Sequence, residues 1–201
     1  GAPGPEADRV LRDLAQARGK SLPKLLAAIG SRRNPGAAAA IRPFLATGTA
    51  ADTGKAAIGA AVDTGMDDLD GKLLELAAKG QDEVRMEAVR VLSARRVEAA
   101  RRVFEAIVVN AGADRDLRNE ALEGLAGLGV QKSEGFLLQV AANKGDSLRW
   151  DCLKWLCAAG TATAEKAVQQ ALQERDEATG SERDALRRRH EMSRAHGDDP
   201  D

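Results

Sequence analysis

Apolar residues recur every three to four positions along this chain, in blocks of about a dozen residues, with glycine or polar residues between the blocks. The sharpest block is Gly80–Arg96, GQDEVRMEAVRVLSARR, in which Val84, Ala88 and Leu92 stand four residues apart. Two later blocks, Gly112–Gly129 and Gly145–Gly160, repeat that register with Leu117, Ala121 and Leu125, and with Leu148, Cys152 and Leu156. An earlier and weaker copy, Ala51–Gly65, supplies Gly54, Ile58 and Val62. A spacing of four places each set on one face of a helix. A basic residue follows the first member of every set: Lys55, Arg85, Arg118 and Arg149, at intervals of 30, 33 and 31 residues. One helical hairpin cannot bury such a stripe alone, so neighbouring hairpins must stack on it. A period in this range therefore predicts an α-solenoid.

Taken in order, residues 1–5 (GAPGP) read as a flexible leader and 6–18 as a helix with Val10, Leu11 and Leu14 on one face. Ser21 caps a second helix, SLPKLLAAIG, with Leu22, Leu25, Leu26 and Ile29 as its apolar positions. Asn34 and Pro35 open a third helix running to about Thr47, which Pro43 should kink or split while Ile41, Phe44 and Leu45 are buried. Helices follow near 51–64, 67–79, 81–94, 96–111, 114–128, 131–143, 146–159 and 162–175. Gly65, Gly80, Gly112, Gly129, Gly145 and Gly160 stand at the breaks, where a left-handed residue ends a helix most easily. Asp52, Asp67, Asp82, Asp114 and Asp146 are the expected N-caps. No stretch alternates with the period of a strand, so the chain is predicted to be all-α. Residues 176–201 are almost free of apolar side chains and read as a polar C-terminal cap, helical from Ser181 to Ala195, or as a disordered tail.

Composition narrows the chemistry. Much of the 43% apolar content is alanine, aromatic residues make up 2% and tyrosine is absent. That argues against a stacking platform for bases or sugars. Thirty basic and 31 acidic residues leave a formal charge of −1, so overall charge points to neither nucleic acid nor a membrane surface. No apolar run reaches the ~18–20 residues of a membrane span. The chain begins without Met, as a processed mature form or a cut-out piece would, so a cytoplasmic and a periplasmic or secreted location both stay open. Cys152 and Cys157, five apart in one helix, point in different directions and are expected to be unpaired core residues. The two histidines, His190 and His196, fall in the polar segment. No catalytic constellation, metal-ligand spacing or phosphate loop is visible, so no cofactor and no enzymatic activity are expected.

The segments DEVRMEAVRVL (82–92), DLRNEALEGLAGLG (116–129) and DSLRWDCLKWLCAAG (146–160) resemble the HEAT family, in its short bacterial form related to the PBS-lyase HEAT-like repeats. The likeness covers 51–175 and extends more loosely over 6–48. It departs at Gly54, where an aliphatic residue is usual, and in the loop before Asp116, which carries extra residues. What it implies is a right-handed superhelix of about five hairpins over 6–175. Lys55, Arg85, Arg118 and Arg149 would form an inter-repeat ladder with acids such as Asp82 and Asp146. The second helices would line a concave face, through Met86, Arg90, Asn119, Glu123, Trp150 and Lys154.

Of the two tryptophans, Trp155 lies between buried positions and is expected in the core, whereas Trp150 lies off the stripe, where exposure would make it a contact. The implied function is a non-enzymatic scaffold or adaptor for a protein or peptide, as a monomer or within a larger assembly. Two alternatives accompany it: a lyase- or chaperone-type subunit acting on a cofactor-bearing protein, and a nucleic-acid-binding solenoid. The Trp150–Asp151 pair is also similar to HEAT-like alkylpurine DNA glycosylases, but five aromatic residues are too few to wall a flipped base.

Overall fold

The computed structural model describes residues 21–33, 35–174 and 180–197, and the expected leader, the helix over 6–18, the Asn34 opening and the tail 198–201 lie outside them. Every described element is helical and no strand occurs among the described residues. The helices are α1 (Ser21–Ser31), α2 (Ala38–Ile41), α3 (Ala51–Asp63), α4 (Leu69–Lys79), α5 (Asp82–Ala94), α6 (Arg101–Val109), α7 (Arg115–Gly127), α8 (Val130–Ala142), α9 (Arg149–Leu156), α10 (Ala162–Leu172) and α11 (Gly180–Gly197). The chain divides into two compact units, at residues 1–103 and 104–201, with the boundary inside α6.

In the first unit, α3 packs against α1 and α5, and α5 packs against α4. Glycine decides both contacts of α3. A Cβ on Gly30 would lie 2.7 Å from the Ala60 Cα, and one on Gly54 would lie 2.8 Å from a Val84 methyl. Gly54 is thus the gap that admits Val84, which explains why the early copy lacks an aliphatic residue at this position. Ile58 is fully buried as expected, but Val62 is 37% exposed, because α3 buries the neighbouring small residues Ala57, Ala60 and Ala61 instead. Pro43 ends the short α2, and Arg42–Phe44 continues as a 3-10 turn. Ile41 and Leu45 are buried there, while Phe44 is half-buried.

In the second unit, Phe104, Ile107 and Val108 of α6 belong to the core. α9 is surrounded, with α8, α10 and α11 all packed against it. The register Leu117, Ala121, Leu125 and Leu148, Cys152, Leu156 is buried throughout, as are Val84, Ala88 and Leu92 in the first unit.

Helix ends follow the expected scheme only in part. Asp114 caps α7, accepting hydrogen bonds from the backbone N–H groups of Asp116 and Leu117 at 2.8 and 3.3 Å. Asp52 and Asp82 instead lie inside the first turns of α3 and α5, where a carboxylate favours the positive helix end through the dipole without a capping bond. Asp67 falls short of α4, whose first residue is preceded by Asp68. Of the six glycine breaks, Gly65, Gly129 and Gly160 take positive φ. Arg96 takes the same left-handed position after α5, at φ 51°.

Candidate partner-binding groove

The repeated basic residue does the same local job three times. Arg85 Nε donates to the Ala77 carbonyl at 3.1 Å, Arg118 Nε to Val108 at 2.8 Å and Arg149 Nε to Ala141 at 3.0 Å. Each of these carbonyls lies in the last turn of the preceding helix, whose final carbonyls have no partner within the helix. The guanidinium therefore closes the helix before it, and its remaining nitrogens reach for acids.

Arg118 Nη2 donates to both carboxylate oxygens of Asp146 at 2.9 Å, and Nη1 donates to Ser147 Oγ at 3.0 Å. Arg149 donates to Glu174 at 2.7 Å, and Lys144 pairs with the same carboxylate at 3.1 Å. Burial pushes the Glu174 carboxyl up, but the hydrogen bonds from Lys144 and Arg149 outweigh it and hold the group below the usual glutamate range. Among the described residues Arg85 pairs only with Asp82 of its own helix, at 3.4 Å. Lys55 is confined to an exposed pair with Asp52 at 3.6 Å, because an ammonium lacks the fork that bonds a carbonyl and an acid together. Arg118 and Arg149 are buried, so these residues are structural members of the second unit and not a surface stripe.

A groove of about 230 Å³ lies between α7, α9 and α11. Its walls are two helix faces of the same spacing: Asn119, Leu122 and Glu123 from α7, and Asp151, Lys154 and Trp155 from α9. Positions separated by three and four residues share one helix face, so each triplet arrives in the groove together. Arg189 of α11 closes the third side, with its guanidinium carbon 5.7 Å from the centroid of the half-buried Trp155 ring. Lys154 is paired with Asp151 at 2.9 Å. The side chains of Asn119 and Glu123 have no hydrogen-bond partner among the described residues, and Arg189 covers the tryptophan face. The groove thus offers an amide, a carboxylate and a guanidinium to an incoming group, around one aromatic ring.

Three of the six outward positions, Asn119, Glu123 and Lys154, come together here. Met86, half-buried, and Arg90, exposed, stand on α5 in the first unit. Trp150 corrects the expectation: only 9% of its surface is exposed, and the Arg149 guanidinium carbon lies 4.7 Å from its ring centroid. With three helices around α9, the buried positions Arg149, Trp150, Cys152, Leu153 and Leu156 sweep across most of its circumference. What remains outward is Asp151, Lys154 and Trp155. Trp155, expected in the core, is therefore the aromatic residue at the surface. The shared face of positions 151, 154 and 155 was a usable signal in the sequence.

His190 is buried and its Nε2 lies 2.8 and 2.9 Å from the two carboxylate oxygens of Glu165, whose carboxyl is held below the usual range by that hydrogen bond. The Ser193 hydroxyl donates to the Cys157 carbonyl at 2.6 Å. Burial pushes the Cys157 thiol up to about 11 and the Cys152 thiol up to about 12. These contacts tie the C-terminal helix to the fold, and neither cysteine is a ready nucleophile. Among the described residues no group of three His, Cys, Asp or Glu could hold a metal ion, and no helix is long and apolar enough to cross a membrane. Comparison with protein-family models, with curated proteins and with solved structures gives no match for this chain.

Proposed function

We propose that the chain is a right-handed HEAT-like solenoid of about five hairpins and serves as a non-enzymatic adaptor that binds a protein segment in the groove between α7, α9 and α11. The repeated guanidinium that closes a preceding helix, at Arg85, Arg118 and Arg149, supports the repeat reading. The observation that carries the adaptor reading is the half-buried Trp155 ringed by the side chains of Asn119 and Glu123, which have no hydrogen-bond partner among the described residues. Tryptophan in a partly desolvated groove is the residue type that most often anchors a protein contact. A groove walled by two regular helices also keeps its side chains ordered before binding, which lowers the entropy lost on association.

Affinity capture from lysate with the unaltered chain, with Glu123→Arg and with Gln139→Arg on the exposed part of α8 tests this reading. A discrete protein retained by the Gln139 variant and lost by the Glu123 variant is the expected result. Nucleic acid recovered in its place, or a protein held equally by all three chains, would refute the groove as an adaptor site.

A further inference from the structure

The C-terminal helix α11 sits on α9 and α10 with little apolar contact of its own. Among its described side chains only Leu186 and His190 are buried, whereas α7 buries seven of its thirteen residues. Beside it lies an open pocket of about 330 Å³, lined by Leu156, Cys157, Thr161, Ala162 and Glu165 on one side and by His190, Ser193 and Arg194 on the other. Its attachments are otherwise polar. His190 bonds Glu165, Ser193 bonds the Cys157 carbonyl, Arg183 donates to the Glu174 carbonyl, and Arg189 covers Trp155. Positions 186, 189, 190 and 193 share one helix face.

Residues 180–197 carry five Arg against three acids, and the acids lining the pockets beside this helix are Glu165, Asp151 and Glu123, with Lys154 among them. Around His190, the charged groups are Glu165 from α10 and Arg194 on its own helix, with Cys157 facing it from the C-terminal end of α9. A basic helix thus rests beside Glu165, Asp151 and Glu123, held by one aliphatic residue and a set of polar contacts, next to an open pocket.

We infer that the α9–α10 face is a docking surface for a basic amphipathic helix of a partner protein, and that α11 occupies it in cis until such a helix displaces it. This rests on the adaptor reading and deepens it: the partner's helix replaces α11 as the third wall of the groove, against Trp155 and Glu123. The fitting helix places an aliphatic side chain where Leu186 lies and an arginine where Arg189 covers Trp155. In place of His190 or Ser193 it carries an apolar residue that packs against Leu156 and Ala162 in the pocket. Burial of added apolar surface in that space favours the foreign helix, and arginines against Glu165, Asp151 and Glu123 set its orientation.

The test uses the full chain and a synthetic peptide of residues 180–197 carrying H190L and S193L, with alkylation of Cys157 as the reporter. In the Leu186→Asp chain α11 is released, so Cys157 reacts at least about tenfold faster than in the unaltered chain, and the peptide restores its protection. The same peptide with Arg187, Arg188 and Arg189 changed to Glu gives no protection. Unchanged Cys157 reactivity in the Leu186→Asp chain, or a peptide that does not protect, overturns the proposal.

Should the Leu186→Asp chain lose its helicity, amide exchange in the unaltered chain decides. The α11 amides exchange at least about tenfold faster than those of α10, and equal protection overturns the proposal. Labelling of the unaltered chain that depends on its own concentration assigns the face to a second copy and overturns it as well. None of these results touches capture through Glu123, so the adaptor reading and this extension fail separately.

Discussion

Replacing Arg118 with methionine removes four hydrogen bonds at one point of the second unit: one to the Val108 carbonyl, one to Ser147 and two to Asp146. The arginine side chain is 5% exposed and the Asp146 side chain 14%, so water reaches both partners poorly, although Asp146 keeps the Leu148 N–H at 2.8 Å. The methionine keeps much of the aliphatic packing but leaves a carboxylate in a poorly solvated site and the end of α6 unclosed. Breaking a buried pair of this kind costs about 3–5 kcal/mol. Arg85→Met provides the contrast. Its acid, Asp82, is 73% exposed. That loss reduces to one carbonyl bond at about 1 kcal/mol and a surface pair at about 0–1 kcal/mol.

Urea denaturation measures both. Trp150 and Trp155 are the two tryptophans of the chain and both lie in the second unit, so their fluorescence reports the Arg118 variant, while helical circular dichroism reports Arg85→Met. The double variant Arg118→Met, Asp146→Leu separates the mechanism from simple loss of volume. With both charges gone, part of the lost stability returns, because an apolar pair has no unpaired charge to bury, while the Leu148 N–H loses its acceptor. An Arg118→Met chain destabilised by less than about 1 kcal/mol, or a double variant less stable than the single one, would refute the reasoning.

Three further outcomes follow from other contacts. Gly54→Val collides with Val84 and lowers stability by about 1–3 kcal/mol, and Val84→Ala in the same chain restores much of it; denaturation midpoints of the two chains check this. Glu165 is lowered below the ordinary glutamate value of about 4.3, so it contributes stability above that value that disappears as pH falls through the folded-state value. Urea midpoints between about pH 5 and about pH 3 therefore decline less steeply in Glu165→Gln than in the unaltered chain, and parallel curves refute the linkage. Cys152, with its thiol pushed up to about 12 and no exposed surface, stays unmodified by iodoacetamide at neutral pH until the chain is denatured, which mass spectrometry detects directly.

What the sequence by itself determined was local: which segments are helical, where Pro43 interrupts one, and which face of each helix is apolar. The stripes Val84–Ala88–Leu92, Leu117–Ala121–Leu125 and Leu148–Cys152–Leu156 are buried because a spacing of four fixes a helix face whatever lies against it. The repeated basic residue was visible too, but not the carbonyl each guanidinium closes, since that depends on where the preceding helix ends in space. Tertiary structure decided the rest. Gly54 made sense only once Val84 was seen to occupy the place of its missing side chain. His190 found Glu165 across 25 residues of chain, a pairing that no local pattern encodes. The two tryptophans changed places for the same reason. Periodicity tells which side of a helix is greasy, whereas burial depends on how many neighbours a helix has, and α9 has three. Those neighbours cover Trp150 and leave Trp155 at the groove, because packing is a property of the whole unit and not of any one segment.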